Sequence, residues 1–154
     1  MVSPELLRRF PLFAGLDHAL LKEIALAGDE IEVKKGERLF YQNAEADSLY
    51  LIISGALEPI IGLNADEAHF TPLPRLIDGD VMGWSALVEP HIYRFGALAE
   101  THARVIRLDA DSLLAIMEQN PQAGYLIMKR LAQIIGERLT NLRVQFVSMM
   151  EHAG

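Results

Sequence analysis

A chain of 154 residues, 51% apolar and 23% charged, is long enough for one domain with a real core and too short for two. Fourteen Lys and Arg against 21 Asp and Glu give a formal charge of -7, so no broad positive field is available to a phosphodiester backbone and direct nucleic-acid binding is not expected. The absence of cysteine excludes disulfides, thiolate metal sites and a thiol nucleophile. No apolar stretch approaches the ~18 residues that cross a bilayer, and the start, MVSPELLRRF, lacks a leader's apolar core, so no membrane contact and a cytoplasmic location are expected.

Ser3 before Pro4 reads as a helix start, since serine can cap free N–H groups and proline is pre-shaped for the first helical position; Leu6, Leu7 and Phe10 supply its apolar face. Asp17 is placed to cap a second helix through HALLKEIALA, with Gly28 where a left-handed stop is cheapest. From Glu30 to Leu108 short β-rich runs alternate with Gly, Pro, Asn and Asp, the pattern of a small antiparallel roll. Residues 63–69, LNADEAH, read as a hairpin tip. Asp109 or Asp111 then starts a short helix, and Asn120 with Pro121 repeats the cap-then-proline signal before a helix to about Met150, ~45 Å long at 1.5 Å per residue. The expected architecture is one domain, mainly β with flanking helices. It has N-terminal helices over 1–28, an antiparallel β-roll of the double-stranded jelly-roll type over 29–108, a short helix over 109–119 and a long dimerisation helix over 120–150.

On that last helix Met128, Ala132, Ile135, Leu139, Leu142, Phe146 and Met149 recur at alternating steps of four and three, the spacing of a coiled-coil seam, so a homodimer is expected. Ile127, Leu131 and Ile134 form a second face that can pack on the roll, and beyond Arg138 that face turns polar. Met149 and Met150 beside Phe146 also offer an adaptable contact for a regulatory protein partner.

The segment GDVMGWSALVEPHIYRFGALAE, residues 79–100, contains the parts that hold a phosphate without a metal: glycines that let backbone N–H groups approach and an arginine whose fork matches two oxygens. The roll with Gly36, Gly55 and Gly79, the GWSAL cassette at 83–87, Arg94 eleven residues after Gly83, the Asn120-Pro121 pair and the long final helix resemble the cyclic nucleotide-binding domain of cyclic AMP receptor proteins and kinase regulatory subunits. The resemblance runs from about Leu6 to about Leu142. It implies a non-enzymatic regulatory module whose ligand, a cyclic nucleotide or another small anion, is held by the backbone of Gly83, Trp84, Ser85 and Ala86 and by Arg94, with Phe95 and Gly96 beside it. It also implies base-reading groups on the long helix, for which Thr140, Asn141 and Arg143 are the candidates.

Two positions depart from the family. Trp84 stands where nucleotide-binding members place the glutamate that accepts from the ribose 2′-hydroxyl, and an indole accepts nothing. Phe95 stands where the family places Ser, Thr or a small residue. A second reading follows, a ligand-free dimeric scaffold in which Trp84 and Phe95 close the pocket and Arg94 pairs with Asp80 or Glu89. Family transcription factors continue into a helix-turn-helix domain of some 70 residues, whereas this sequence ends at Gly154 and resembles the sensor half. His69, His91 and His102 with Glu100 lack the tight spacing of a metal-bearing barrel, and no nucleophile elbow or phosphate loop is present, so neither a metal nor catalysis is expected.

Overall fold

The computed structural model describes residues 1–62 and 70–153, so the hairpin tip read at 63–69 lies outside the described residues. Helix α1 (Pro4–Arg8), a 3-10 turn (Pro11–Phe13) and α2 (His18–Leu26) precede the strands β1 (Gly28–Val33), β2 (Arg38–Phe40), β3 (Ser48–Ser54), β4 (Leu57–Gly62), β5 (Phe70–Pro72) and β6 (Val81–Met82). A second 3-10 turn (Trp84–Leu87), β7 (Gly96–Ala99), β8 (Ala103–Asp109), α3 (Ala110–Gln119) and α4 (Pro121–Ala153) complete the chain. The strands form two four-stranded antiparallel sheets, ordered β1-β8-β3-β6 and β2-β7-β4-β5.

Both sheets and the N-terminal helices feed one core. In β8 Ala103, Val105, Ile106 and Leu108 are buried between exposed arginines, while Ser48–Ile52 of β3, flanked by β8 and β6, are buried without alternation. Phe13, Leu7, Leu12 and Leu21 bring the N-terminal helices into the same cluster. Each such side chain contributes about 1.5–3 kcal/mol over an exposed one.

Three local expectations change. Ser3 precedes α1, but its side chain makes no capping bond; its carbonyl accepts from the Leu6 and Leu7 N–H groups instead. Gly28 is not a left-handed stop. Ala27 ends α2 and Gly28 opens β1, where a Cβ would sit 2.8 Å from Leu108 Cδ2 and 3.0 Å from Val2 Cγ2, so close packing favours the glycine and a larger residue has to displace those side-chain ends. The Asn120 side chain closes α3, its Nδ2 donating to the Ile116 carbonyl at 2.9 Å. Of the two acids offered for the start of α3 it is Asp109 that caps, accepting from the Ser112 N–H at 2.9 Å. Asp17 caps α2 as expected, at 2.8 Å from the Leu20 nitrogen.

Helix α4 has 33 residues, about 50 Å at 1.5 Å per residue. Its first half is docked: Ile127 and Leu131 are fully buried, and Arg130 donates to the carbonyls of Leu12 and Ala14 in the N-terminal turn. From Leu139 to Ala153 every residue is exposed.

Candidate functional site

The cassette turn begins at Gly83, whose φ of 77° lies in the left-handed region and whose absent Cβ would stand 3.0 Å from the Ser48 carbonyl oxygen and 3.2 Å from the Tyr93 ring. Only glycine meets both demands without strain. Trp84–Leu87 then make one 3-10 turn. The Ala86 N–H is engaged at the Gly83 carbonyl, 3.0 Å away, whereas the N–H groups of Trp84 and Ser85 have no acceptor among the described residues. Of the four main-chain donors expected at Gly83 to Ala86, that of Ala86 is thereby taken. The Ser85 hydroxyl, on a residue only 8% exposed, is likewise without a hydrogen-bond partner but keeps some solvent access.

The turn is held from behind by residues that were given no part in the cassette above. His91 Nδ1 lies 2.9 Å from the Ala86 carbonyl, an acceptor only, so the ring carries its proton on Nδ1. Tyr93 is buried; its hydroxyl donates to the Ser48 carbonyl at 2.7 Å and accepts from the Ser48 N–H at 3.3 Å. Its ring stacks on Phe40 with centroids 4.0 Å apart. Phe40 also meets Tyr50 at 5.7 Å and Phe95 at 5.9 Å. Phe95 is thus drawn toward the aromatic cluster, and Trp84 packs half-buried against the same core. Burial pushes the Tyr93 phenol far above its ordinary range, and burial followed by the Asp47 charge raises that of Tyr50, so both are neutral supports.

Arg94 follows Tyr93 and is exposed. It makes no hydrogen bond or ion pair among the described residues, so the pairing with Asp80 or Glu89 offered above is not what the structure has. The Asp80 carboxylate instead accepts from the Ile77 N–H at 2.8 Å. Gly96 is buried in β7 opposite Ile60 of β4. Through Tyr93 against Gly83, the segment 93–96 and the cassette turn meet at one end of the roll.

Thr140, Asn141 and Arg143 stand on the exposed tail of α4. The Thr140 hydroxyl donates back to the Gly136 carbonyl at 3.0 Å, and none of the three is bonded to the cassette among the described residues. Of the proposed seam, Met128 and Ile135 are half-buried against the core, while Ala132, Leu139, Leu142, Phe146 and Met149 are exposed. His69 lies outside the described residues, Glu100 pairs with Arg75 at 3.3 Å, and no cluster of three metal-ligating side chains occurs among the described residues. Among the described residues no helix is long and apolar enough to cross a membrane.

Two hollows of about 360 Å³ each lie elsewhere. One is lined by Asp29, Asp47, Tyr50, Arg107 and Asp109, the other by Arg143, Val144, Val147, Ser148 and Glu151 on the α4 tail. Neither includes a cassette residue.

Comparison with known proteins fits this geometry. The chain is 23% identical over 138 residues to the CRP-like cAMP-activated global transcriptional regulator of Mycobacterium tuberculosis, covering 90% of this chain and 61% of that one. It is 31% identical over 135 residues to the Pycsar effector protein BcPycTIR of Burkholderia cepacia, covering 87% of this chain but 41% of the relative. The chain therefore spans less than two thirds of the length of these relatives. A crystal structure of a Geobacter metallireducens protein described as cyclic nucleotide-binding superposes with a TM-score of 0.80 at 30% identity, covering 90% of this chain and 99% of that one. The profile of the cyclic nucleotide-binding domain matches residues 30–120, and the chain belongs to that family.

Proposed function

We propose that this regulatory-family domain is a sensor for a small anionic ligand, with cyclic nucleotides the first class to test. In this reading it binds rather than catalyses, and it signals as a homodimer through α4. One observation carries the reading: the exposed Arg94 guanidinium has no partner among the described residues, and the preceding Tyr93 packs against Gly83, which opens a turn offering the Trp84 and Ser85 N–H groups and the Ser85 hydroxyl. This set is rich in donors and has no carboxylate, which favours an anion. The Trp84 indole adds an apolar face and one more donor, so the ligand's remainder is flat or apolar and is not held by a ribose hydroxyl donating to an acid. The relatives named above as cAMP-activated or cyclic nucleotide-binding make cyclic AMP the natural first probe.

A ligand-free scaffold is the second reading. It is favoured by the half-buried packing of Trp84 and Phe95 against the core. Isothermal titration of the protein with cyclic AMP and cyclic GMP, beside Arg94→Ala, separates the two. The sensor reading expects micromolar or tighter binding weakened at least tenfold by the substitution, roughly the loss of one charge-assisted hydrogen-bonded contact. Binding unchanged in Arg94→Ala removes the arginine from the site, and no binding of either nucleotide turns the search to other anions and to protein partners.

A further inference from the structure

Arg138 lies where α4 leaves the body of the domain. On one helix face Ile127 and Leu131 are buried and Ile134 is half-buried; Arg138 follows one turn later, also half-buried, and every described residue beyond it is exposed. Its guanidinium donates to the main-chain carbonyl of Val81. Val81 belongs to β6, a two-residue strand pairing Val81 with Leu51 and Met82 with Tyr50, and this strand runs directly into Gly83 and the cassette turn. The preceding residue, Asp80, is fixed on the sheet: its carbonyl accepts from the Ile52 N–H at 2.9 Å and its carboxylate from the Ile77 N–H at 2.8 Å. Burial disfavours the Arg138 charge and Asp80 partly restores it, which lowers the guanidinium below its ordinary range.

We propose that Arg138 is a positioning residue that couples the cassette to the free half of α4 through its bond to the Val81 carbonyl. The inference deepens the sensor reading, on which it rests for the identity of the stimulus. A half-buried guanidinium that loses its acceptor leaves desolvated donors unpaired. Movement of Val81 as the cassette adapts to a ligand therefore leaves the helix two arrangements: Arg138 follows the carbonyl, or it withdraws into water and the last docked turn of α4 lets go. The other end of the docked segment is pinned by Arg130 on Leu12 and Ala14 and by the buried Ile127 and Leu131. The response is thereby confined to residues 139–153, the stretch that carries Thr140, Asn141, Arg143 and most of the proposed dimer seam.

The test is a double-mutant cycle on the whole chain, read by amide hydrogen exchange of residues 139–153, with the amides around Ile127–Leu131 as internal reference. Trp84→Ala disturbs the cassette without touching Arg94, and Arg138→Ala cuts the link. Coupling predicts that Trp84→Ala changes tail exchange by about fivefold or more when Arg138 is present and by less than about twofold in its absence. It also predicts that Arg138→Lys, whose ammonium still donates to a carbonyl, restores part of the effect. Additive effects, or a tail indifferent to Trp84→Ala, overturn the proposal; a merely structural Arg138 loosens the tail but leaves the two effects additive. Adding excess cyclic AMP to the same variants separates this failure from that of the sensor reading. Binding of the nucleotide with an additive cycle sinks the Arg138 link alone, while no binding with a non-additive cycle sinks the nucleotide and keeps the link.

Discussion

Tyr93 serves two main-chain groups of Ser48 with one hydroxyl, at 2.7 Å to the carbonyl and 3.3 Å to the N–H, and its ring closes the space behind Gly83. Tyr93→Phe keeps the stack on Phe40 and leaves those two buried groups unpaired, so a loss of about 1–3 kcal/mol in urea unfolding is expected. The substitution also changes the alkaline limb. A phenol raised in the folded state contributes stability that is complete below its unfolded value near ~10 and is lost as pH climbs above it. Wild-type stability should therefore fall above about pH 10 more steeply than that of Tyr93→Phe, whose remaining slope comes from groups such as Tyr50. Trp84 and Arg94 were legible in the sequence because a cassette is a run of neighbours. The Tyr93–Ser48 contact joins residues 45 apart and the Arg138–Val81 contact residues 57 apart, and no local pattern marks either. Arg138 left one trace, as the last position of the face begun by Ile127 and Leu131.

Two aspartates and one serine show what element boundaries turn on. Asp17 and Asp109 each place a carboxylate on a first-turn N–H, at 2.8 and 2.9 Å, while the Ser3 hydroxyl bonds to nothing in α1. Asp17→Ala is therefore expected to cost about 1 kcal/mol by thermal or urea unfolding, whereas Ser3→Ala should stay within about 0.5 kcal/mol. A cost at Ser3 equal to that at Asp17 contradicts this account of α1. Helix existence and the roll were readable from period and turn residues. Gly28 was misread because a glycine after a helix is required by either of two things, a left-handed stop or a close neighbour. Here the neighbours, Leu108 and Val2, stand 106 positions apart in the sequence.

The whole molecule is a docked body with a projecting half-helix, whose face bearing Leu139, Leu142, Phe146 and Met149 is exposed. The proposed homodimer covers that face, so Phe146→Glu, in the middle of the exposed seam, should halve the mass measured by light scattering while the docked body keeps its fold. A wild-type chain that is monomeric at high concentration removes the dimer from the account. Strand order also has a consequence in time. Among the described residues the first strand of the roll, β1, pairs with β8 alone, joining Gly28 to Leu108 and Val33 to Ala103, partners 80 and 70 residues apart. At a synthesis rate of about 5–20 residues per second, β1 waits roughly 4 to 16 s for its partner to be made. Contacts this distant in the chain also close slowly. During that wait Ile31 and Val33 lie on a strand edge with no native neighbour, so chaperone demand on the nascent chain should fall once residue 109 is free to fold.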